Sequence, residues 1–178
     1  MFRSEQCPNG LQYLLNLFKG LNPKVYMEVG CAQLGTLLRF KENMDNGLCI
    51  GVDARDYPEW DEVDSKSSDS GIRLSSQGLH PKKVIVWLKR VLKGQQIDFL
   101  FIDGDHSIEG VTSDWESFSP FVRSGGIVAF HDYDPFAIAQ NKKEGQGAAW
   151  TCKKLEEQQY SIQIVPNTSI GIAYVEKK

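Results

Sequence analysis

Short apolar runs that suit buried strands alternate along this chain with segments whose apolar residues recur at helical spacing. Seven strands are predicted, at 24–29, 48–52, 72–74, 97–102, 127–130, 161–165 and 171–175. Helices are predicted around 11–20, through Leu37, Leu38 and Met44, from Pro81, from Ser107, and around 148–158. Alternating strands and helices indicate an α/β fold with an open, mostly parallel sheet and helices on both faces. The last two strands predict a C-terminal antiparallel hairpin.

The polar, Asp- and Ser-rich segment 54–71 interrupts this pattern, because it lacks sustained periodicity. It predicts a long surface loop, or a loop with a short helix, and such loops are often functional. The chain shows no internal repeat or linker, so we expect one domain over 1–178, with an N-terminal helix within 1–22 and a variable loop at 54–71.

Composition excludes some classes of function. Twenty basic and 23 acidic residues give a net charge of −3, which argues against a protein built for nonspecific binding of nucleic acid or anionic membranes. The four cysteines form no C-x-x-C pair and indicate packed, reduced thiols. The chain has neither an apolar signal-peptide core nor an apolar run of about 20 residues, so no membrane and a cytoplasmic location are expected.

Ionisable residues directly follow four of the predicted strands, in the segments 28–36, 53, 103–106 and 131–132. In parallel α/β sheets, ligands bind just beyond the carboxyl ends of the strands. Ionisable groups are costly to place there unless something binds them. These segments are therefore the candidate site.

A glycine-bearing turn follows the first strand. Gly30 lets the backbone approach a ligand, and the following helix offers free N–H groups. The motif is not G-x-G-x-x-G, because Ala32 stands at the second glycine position, and a tight strand–helix turn alone would explain it. Asp53, at the end of the second strand, suits hydrogen bonds to ribose hydroxyls. At this point NAD and S-adenosylmethionine (SAM) fit equally well.

The segments FIDGDHS, at 101–107, and GGIVAFHDY, at 125–133, distinguish between them. Together they resemble the strand 4 to strand 5 region of small class I SAM-dependent methyltransferases, and the resemblance extends over roughly 24–135. It implies a Rossmann-like sheet, SAM as the cofactor and methyl transfer as the activity. The nearest mechanistic comparison is with cation-dependent O-methyltransferases such as catechol and caffeoyl-CoA O-methyltransferase.

That comparison implies a set of cofactor-binding residues. The cofactor loop of the family matches Glu28 and Gly30, and its contact to the methionine carboxylate falls on Thr36. The ribose-binding acid falls on Asp53. Near adenine the family has a Ser-Gln pair that fits Ser76 and Gln77, although a plain polar turn explains this pair equally well. Cys31 and Asp103 complete the expected cofactor contacts.

The resemblance also implies a metal site and a general base. The family holds a divalent cation with a strand-4 aspartate and an Asp-Asn pair, which here fall on Asp103, His131 and Asp132. Replacing an oxygen ligand by imidazole shifts the preference from Mg²⁺ toward Mn²⁺, Fe²⁺ or Zn²⁺. The family's lysine base is replaced by His106, a residue that can accept a proton near neutral pH. His131 is the competing catalytic base if no metal binds.

We therefore expect a SAM-dependent methyltransferase that O-methylates a small hydroxylated or sugar-type acceptor, with SAM and a divalent cation (Mg or Mn) as cofactors. An NAD-type oxidoreductase is one alternative, disfavoured by the missing G-x-G-x-x-G and by the late hairpin. A non-catalytic SAM-binding protein is another. A nucleic-acid acceptor is disfavoured because strand 4 ends in Asp-Gly-Asp-His. A homodimer remains open.

Overall fold

The computed structural model describes residues 7–58, 60, 71–77, 81–141, 145–166, 168 and 171–178. Most of the predicted loop 54–71 lies outside the described residues, as do the start of the chain and part of the link between the last two strands.

The described residues contain one sheet, which confirms the predicted fold class. Its strands are β1 (Val25–Val29), β2 (Leu48–Val52), β3 (Ile72–Ser75), β4 (Ile97–Ile102), β5 (Val122–Phe130), β6 (Gln163–Ile164) and β7 (Ala173–Glu176). The spatial order is β3-β2-β1-β4-β5-β7-β6. Strands β1 to β5 are parallel neighbours, whereas β7 runs antiparallel to both β5 and β6. The predicted hairpin is therefore present, with β7 inserted between its partner and β5.

Helices cover both faces of this sheet. They are α1 (Pro8–Gly20), α2 (Gly35–Glu42), α3 (Pro81–Leu92), α4 (Ile108–Phe118) and α5 (Gln146–Glu157). Side chains alternate across a strand, so β1 turns Val25 and Met27 to one face and Tyr26 to the other. The first face packs against α3, α4 and α5. The second face packs against α1 and α2.

Several element boundaries differ from the predictions, most clearly those of β5, α2 and β6. Strand β5 begins at Val122 and runs through Gly125 and Gly126, whereas the predicted strand began at residue 127. The two glycines exchange backbone hydrogen bonds with Lys177 at 2.8 Å, so they extend the strand. Helix α2 ends before Met44, because Asn43 already leaves the helical conformation. Strand β6 spans only two residues.

The parallel strands carry all four candidate segments to a common edge. Strands β1, β2, β4 and β5 end there, with their carboxyl ends beside one another. Among the described residues, none of the helices combines the length and apolarity that crossing a membrane requires.

Candidate active site

Two buried acids lie at the ends of β1 and β2. Glu28 is 2% exposed and Asp53 is 8% exposed. The Asp53 carboxylate accepts backbone N–H groups from Ala32 at 2.9 Å and from Arg55 at 3.1 Å. Its two oxygens therefore hold the turn after β1 to the segment after β2. Both predicted acids thus lie at the expected edge, Asp53 bonded to the turn that Gly30 opens.

Gly30 brings the main chain of this turn against the end of β4. Its φ angle is +82°, and a Cβ atom there would overlap the backbone carbonyl of Asp103. The Gly30 N–H donates to Val52 O at 2.7 Å, and the Asp103 N–H donates to Val29 O at 2.8 Å. A larger residue would meet both a left-handed backbone and a steric overlap, so this position requires glycine.

The other residues predicted to bind cofactor in this turn lie close by. The Cys31 side chain is buried in the core against Gly51, and burial raises the pKa of its thiol. The cysteine therefore presents main-chain atoms rather than a reactive thiolate. Thr36 lies in the first turn of α2, which begins after Leu34 in a left-handed conformation and has no side-chain N-cap. The N–H groups of that turn and the Thr36 hydroxyl are the polar groups of α2 that lie at this edge of the sheet.

Trp60 contacts the turn after β1 through a hydrogen bond that the sequence does not predict. Its indole N–H donates to the carbonyl oxygen of Ala32 at 2.8 Å, and the side chain is buried. A tryptophan in a polar segment hints at a role, but its partner is a main-chain atom that no residue pattern reveals. Trp60 therefore attaches the segment after β2 to the turn after β1.

The predicted Ser-Gln pair lies beside Asp53. The Asp53 N–H donates to Ser75 O at 3.0 Å, which brings the end of β3 next to the acid. Ser76 is half-buried and Gln77 is exposed. Their position fits the predicted adenine contact, which stays a prediction.

The ends of β4 and β5 form a connected cluster of acids and imidazoles. The Nδ1 atom of His131 lies 2.8 Å from Asp103 Oδ1 and 3.0 Å from Asp132 Oδ1. The second oxygen of Asp132 lies 2.9 Å from His106 Nδ1. Asp132 adopts a φ of +53°, a left-handed conformation that turns its carboxylate between the two imidazoles. All four residues predicted for metal binding and catalysis therefore lie in contact.

His131 is the central residue of this cluster. Its side chain is 10% exposed, and its Nδ1 is the buried side-chain nitrogen that makes no well-directed hydrogen bond among the described residues. Burial lowers the pKa of His131, but the contacts with Asp103 and Asp132 outweigh burial and raise it to about 9. A buried nitrogen held between two carboxylates, without a directed hydrogen bond, is an arrangement that a bound cation would satisfy.

His106 is more accessible and differently paired. Its hydrogen bond with Asp132 raises the pKa of the imidazole, although burial opposes this. The same contacts, from His106 first and then His131, hold the pKa of Asp132 well below its usual range. Because Asp132 contacts Nδ1, the other ring nitrogen of His106 is the one that can act on a ligand.

The geometry groups potential metal ligands differently from the sequence prediction. Asp103, His106 and His131 each offer one ligand atom, and the three atoms lie within 4.8 Å of one another. The prediction had Asp132 in place of His106. Asp103 and His131 are common to both sets.

Two further acids, Asp105 and Asp114, lie near the cluster. Asp105 Oδ1 accepts the Ser107 N–H at 3.0 Å, and Ser107 caps α4 by accepting the Gly110 N–H at 3.0 Å, as predicted. Asp114 on α4 lies close to Gly104. Burial, and then the charge of Asp105, raise the pKa of Asp114 to about 7.

The sheet order and the polar strand ends together define an open α/β protein with a ligand site at the carboxyl edge of its sheet. The chain belongs to the methyltransferase family whose model is described as a methyltransferase domain and matches residues 29–133. This confirms the family resemblance and gives no support to the oxidoreductase alternative.

The uncharacterized protein R132 of Acanthamoeba polyphaga mimivirus is a curated relative that is 26% identical over 132 residues, or 71% of this chain. The matched part is 58% of that relative, so the chain spans less than two thirds of its length.

Solved structures are similar in fold. An O-methyltransferase from Bacillus cereus in complex with S-adenosylhomocysteine (SAH) has a TM-score of 0.71 at 13% identity, over 96% of this chain and 82% of that one. TomG, an O-methyltransferase from Streptomyces achromogenes in complex with SAM, has a TM-score of 0.70 at 10% identity, over 98% and 82%. MycE of the mycinamycin biosynthetic pathway, in complex with Mg, SAH and mycinamycin VI, has a TM-score of 0.68 at 18% identity, over 93% and 48%.

Proposed function

We propose that this protein transfers a methyl group from SAM to a hydroxyl group of a small acceptor, with a divalent cation at Asp103 and His131. One observation carries the proposal: a methyltransferase-family sheet edge on which a cluster of two acids and two imidazoles adjoins a turn lined by buried acids. SAM supplies an already activated methyl group, so the protein mainly has to align it with the acceptor oxygen.

The residues at the ends of β1 and β2 fit the cofactor. Asp53 is rigidly held by two backbone N–H groups and keeps lone pairs for ribose hydroxyls. The first turn of α2, with Thr36, supplies donors for a carboxylate. Burial raises the pKa of the Glu28 carboxyl, and the cationic end of SAM would favour its ionised form. Fold relatives that contain SAM or SAH support the same assignment.

The residues at the ends of β4 and β5 fit a cation. The Nδ1 atom of His131 makes no well-directed hydrogen bond and lies 2.8 Å from an oxygen of Asp103. This separation suits two ligands of one metal ion. Asp132 is the proposed third ligand, and a donor set that includes imidazole favours Mn²⁺ or a similar transition ion over Mg²⁺. The cation would hold the acceptor oxygen and lower its pKa. MycE, a fold relative solved in complex with Mg, supports the use of a divalent cation.

His106 is the proposed general base. Asp132 contacts its Nδ1 and orients the ring, so the opposite nitrogen can accept the hydroxyl proton as the oxygen attacks the methyl group. The grouping of His106 with Asp103 and His131 supports a second assignment, in which His106 is itself a metal ligand.

The acceptor class rests on similarity and on an exposed aromatic side chain that follows the His-Asp pair. MycE contains mycinamycin VI, a small molecule, and several fold relatives are named O-methyltransferases. Phe136, which follows the His-Asp pair, is 64% exposed and offers an aromatic surface to such a molecule. We also propose a cytoplasmic location, because the described cysteines are unpaired and three of them are buried.

Calorimetry with SAH, in the presence and absence of Mn²⁺ or Mg²⁺, tests the proposal. We expect SAH to bind, and Mn²⁺ to bind more tightly than Mg²⁺. Failure of the unaltered protein to bind SAH would refute the methyltransferase assignment. SAH binding with no methylation across a panel of hydroxylated acceptors would favour the non-catalytic alternative.

Two histidine variants separate the roles in the cluster. His131→Ala should abolish Mn²⁺ binding while SAH still binds. His106→Ala should retain Mn²⁺ and SAH affinity but lower turnover by roughly 100-fold or more, as expected for loss of a general base. Loss of Mn²⁺ binding in His106→Ala would instead make His106 a metal ligand.

A further inference from the structure

Tyr26 and Glu28 form a buried pair at the end of β1. Two residues apart on one strand, they lie on the same face of the sheet. The Tyr26 hydroxyl donates to Glu28 Oε2 at 2.9 Å, and neither side chain is more than 2% exposed. Nothing in the sequence analysis assigned a role to this tyrosine.

The Tyr26 ring is held in place by aromatic neighbours. It stacks on Phe40 of α2 with ring centroids 4.2 Å apart and planes 10° apart. Phe18 of α1 meets it edge-on at 5.7 Å. Contacts from two helices therefore fix the ring, and with it the position of the hydroxyl. A hydroxyl on so rigid a support holds the Glu28 carboxylate in a single orientation.

The hydrogen bond also favours the charged form of Glu28. Burial raises the pKa of this carboxyl strongly, and the bond from Tyr26 is the largest opposing influence. Asp103 and Asp53 raise the pKa further, whereas His131 lowers it. A carboxylate in this position gains most from a cationic ligand, because three acids converge on one edge of the sheet.

We propose that Tyr26 is a positioning residue that holds one oxygen of Glu28 so that the other meets the ammonium group at the amino-acid end of the cofactor. The proposal rests on the proposed function, since it presupposes a SAM-type ligand. Tyr26 touches no ligand itself and acts through Glu28. If its role were only to satisfy a buried carboxyl, it would affect stability without affecting ligand choice.

A comparison of two ligands tests this role. SAH carries the ammonium group, whereas 5′-methylthioadenosine keeps the adenosine and the sulfur but has no amino-acid part. Tyr26→Phe keeps the ring and removes the hydroxyl. Calorimetry should show SAH affinity falling about tenfold in Tyr26→Phe, the effect of losing one hydrogen bond to a charged group. Affinity for methylthioadenosine should stay within about twofold.

Two further variants make the result decisive. Glu28→Gln should show the same selective loss for SAH, and adding Tyr26→Phe to it should cause no additional loss. Tyr13→Phe is the matched control, because its hydroxyl pairs with Tyr174 at 3.4 Å and not with Glu28. It should leave both affinities unchanged.

Equal changes for the two ligands, or none, in Tyr26→Phe and Glu28→Gln would overturn the inference while leaving the proposed function intact. If the unaltered protein binds neither ligand, both are overturned. Should Tyr26→Phe fail to fold, Glu28→Gln alone decides, because a loss that is equal for both ligands refutes the role of the carboxylate on which Tyr26 acts.

Discussion

Asp53→Asn is the substitution for which the structure gives the clearest expectation. The carboxylate accepts the Ala32 and Arg55 N–H groups, one on each oxygen, at 2.9 and 3.1 Å. Asparagine has the same size but only one accepting oxygen. Its NH₂ group would face a backbone N–H, so one charge-assisted bond is lost and one donor is left unpaired.

The expected magnitude follows from those two contacts. Losing a hydrogen bond to a charged group and leaving a buried donor unpaired costs about 2 to 3 kcal/mol of unfolding free energy. A weakened ribose contact should in addition lower SAH affinity by roughly 10-fold to 100-fold. The two effects have a common cause but are measured separately.

Urea unfolding followed by tryptophan fluorescence measures the first effect, and calorimetry with SAH the second. Asp56→Asn is the matched control, since Asp56 is exposed and lies three residues further along. It should change the unfolding free energy by less than about 0.5 kcal/mol. If Asp53→Asn proved as stable as the control and bound SAH equally well, the role assigned to Asp53 would be wrong.

Two other substitutions test the backbone and the electrostatics around the site. Gly30→Ala should lower stability by roughly 2 to 4 kcal/mol, because it adds an overlap with the Asp103 carbonyl to an unfavourable φ. Gly94→Ala, with φ +87° and open space around it, should cost about 1 kcal/mol, and thermal melts giving equal losses would contradict the overlap. Asp114 holds its proton in the folded state up to a pH of about 7, so folding loses stability as pH rises from the unfolded pKa toward 7. Asp114→Asn should remove that loss, so the variant should be more stable than the unaltered protein by a few kcal/mol at pH 8 and by much less at pH 5. Urea unfolding at the two pH values measures this difference. If the free energy of unfolding of both proteins depended equally on pH, the role assigned to Asp114 would be refuted.

Periodicity predicted most of the sheet because its central strands are buried apolar runs. It failed at Gly125 and Gly126, where glycine usually marks a turn. Their N–H and C=O groups instead pair with Lys177 near the end of the chain, a long-range contact that a local pattern does not contain. The insertion of β7 between β5 and β6 is likewise a matter of spatial order, which the spacing of apolar residues does not encode.

The sequence predicted where the candidate site lies better than it predicted which of its residues contact one another. The positions of the strand ends predicted where the ionisable groups converge, and the family resemblance indicated a role for each of them. The pairing of Asp132 with both histidines depends on its left-handed backbone, and the Trp60 contact depends on a main-chain carbonyl. Neither kind of information is carried by residue identity alone. Tyr26 and Glu28 were within reach, because the two-residue period of a strand already put them on one face.

The close approach of Gly30 to the Asp103 carbonyl has a consequence for how such a protein can diverge. Main-chain atoms form the contact between the turn after β1 and the end of β4. This contact therefore does not depend on which side chains the neighbouring strand ends carry. Substitutions at positions 106, 131 and 132 should therefore leave the distance between the turn after β1 and the end of β4 unchanged. Side chains at these strand ends can therefore change one at a time on a fixed main-chain frame.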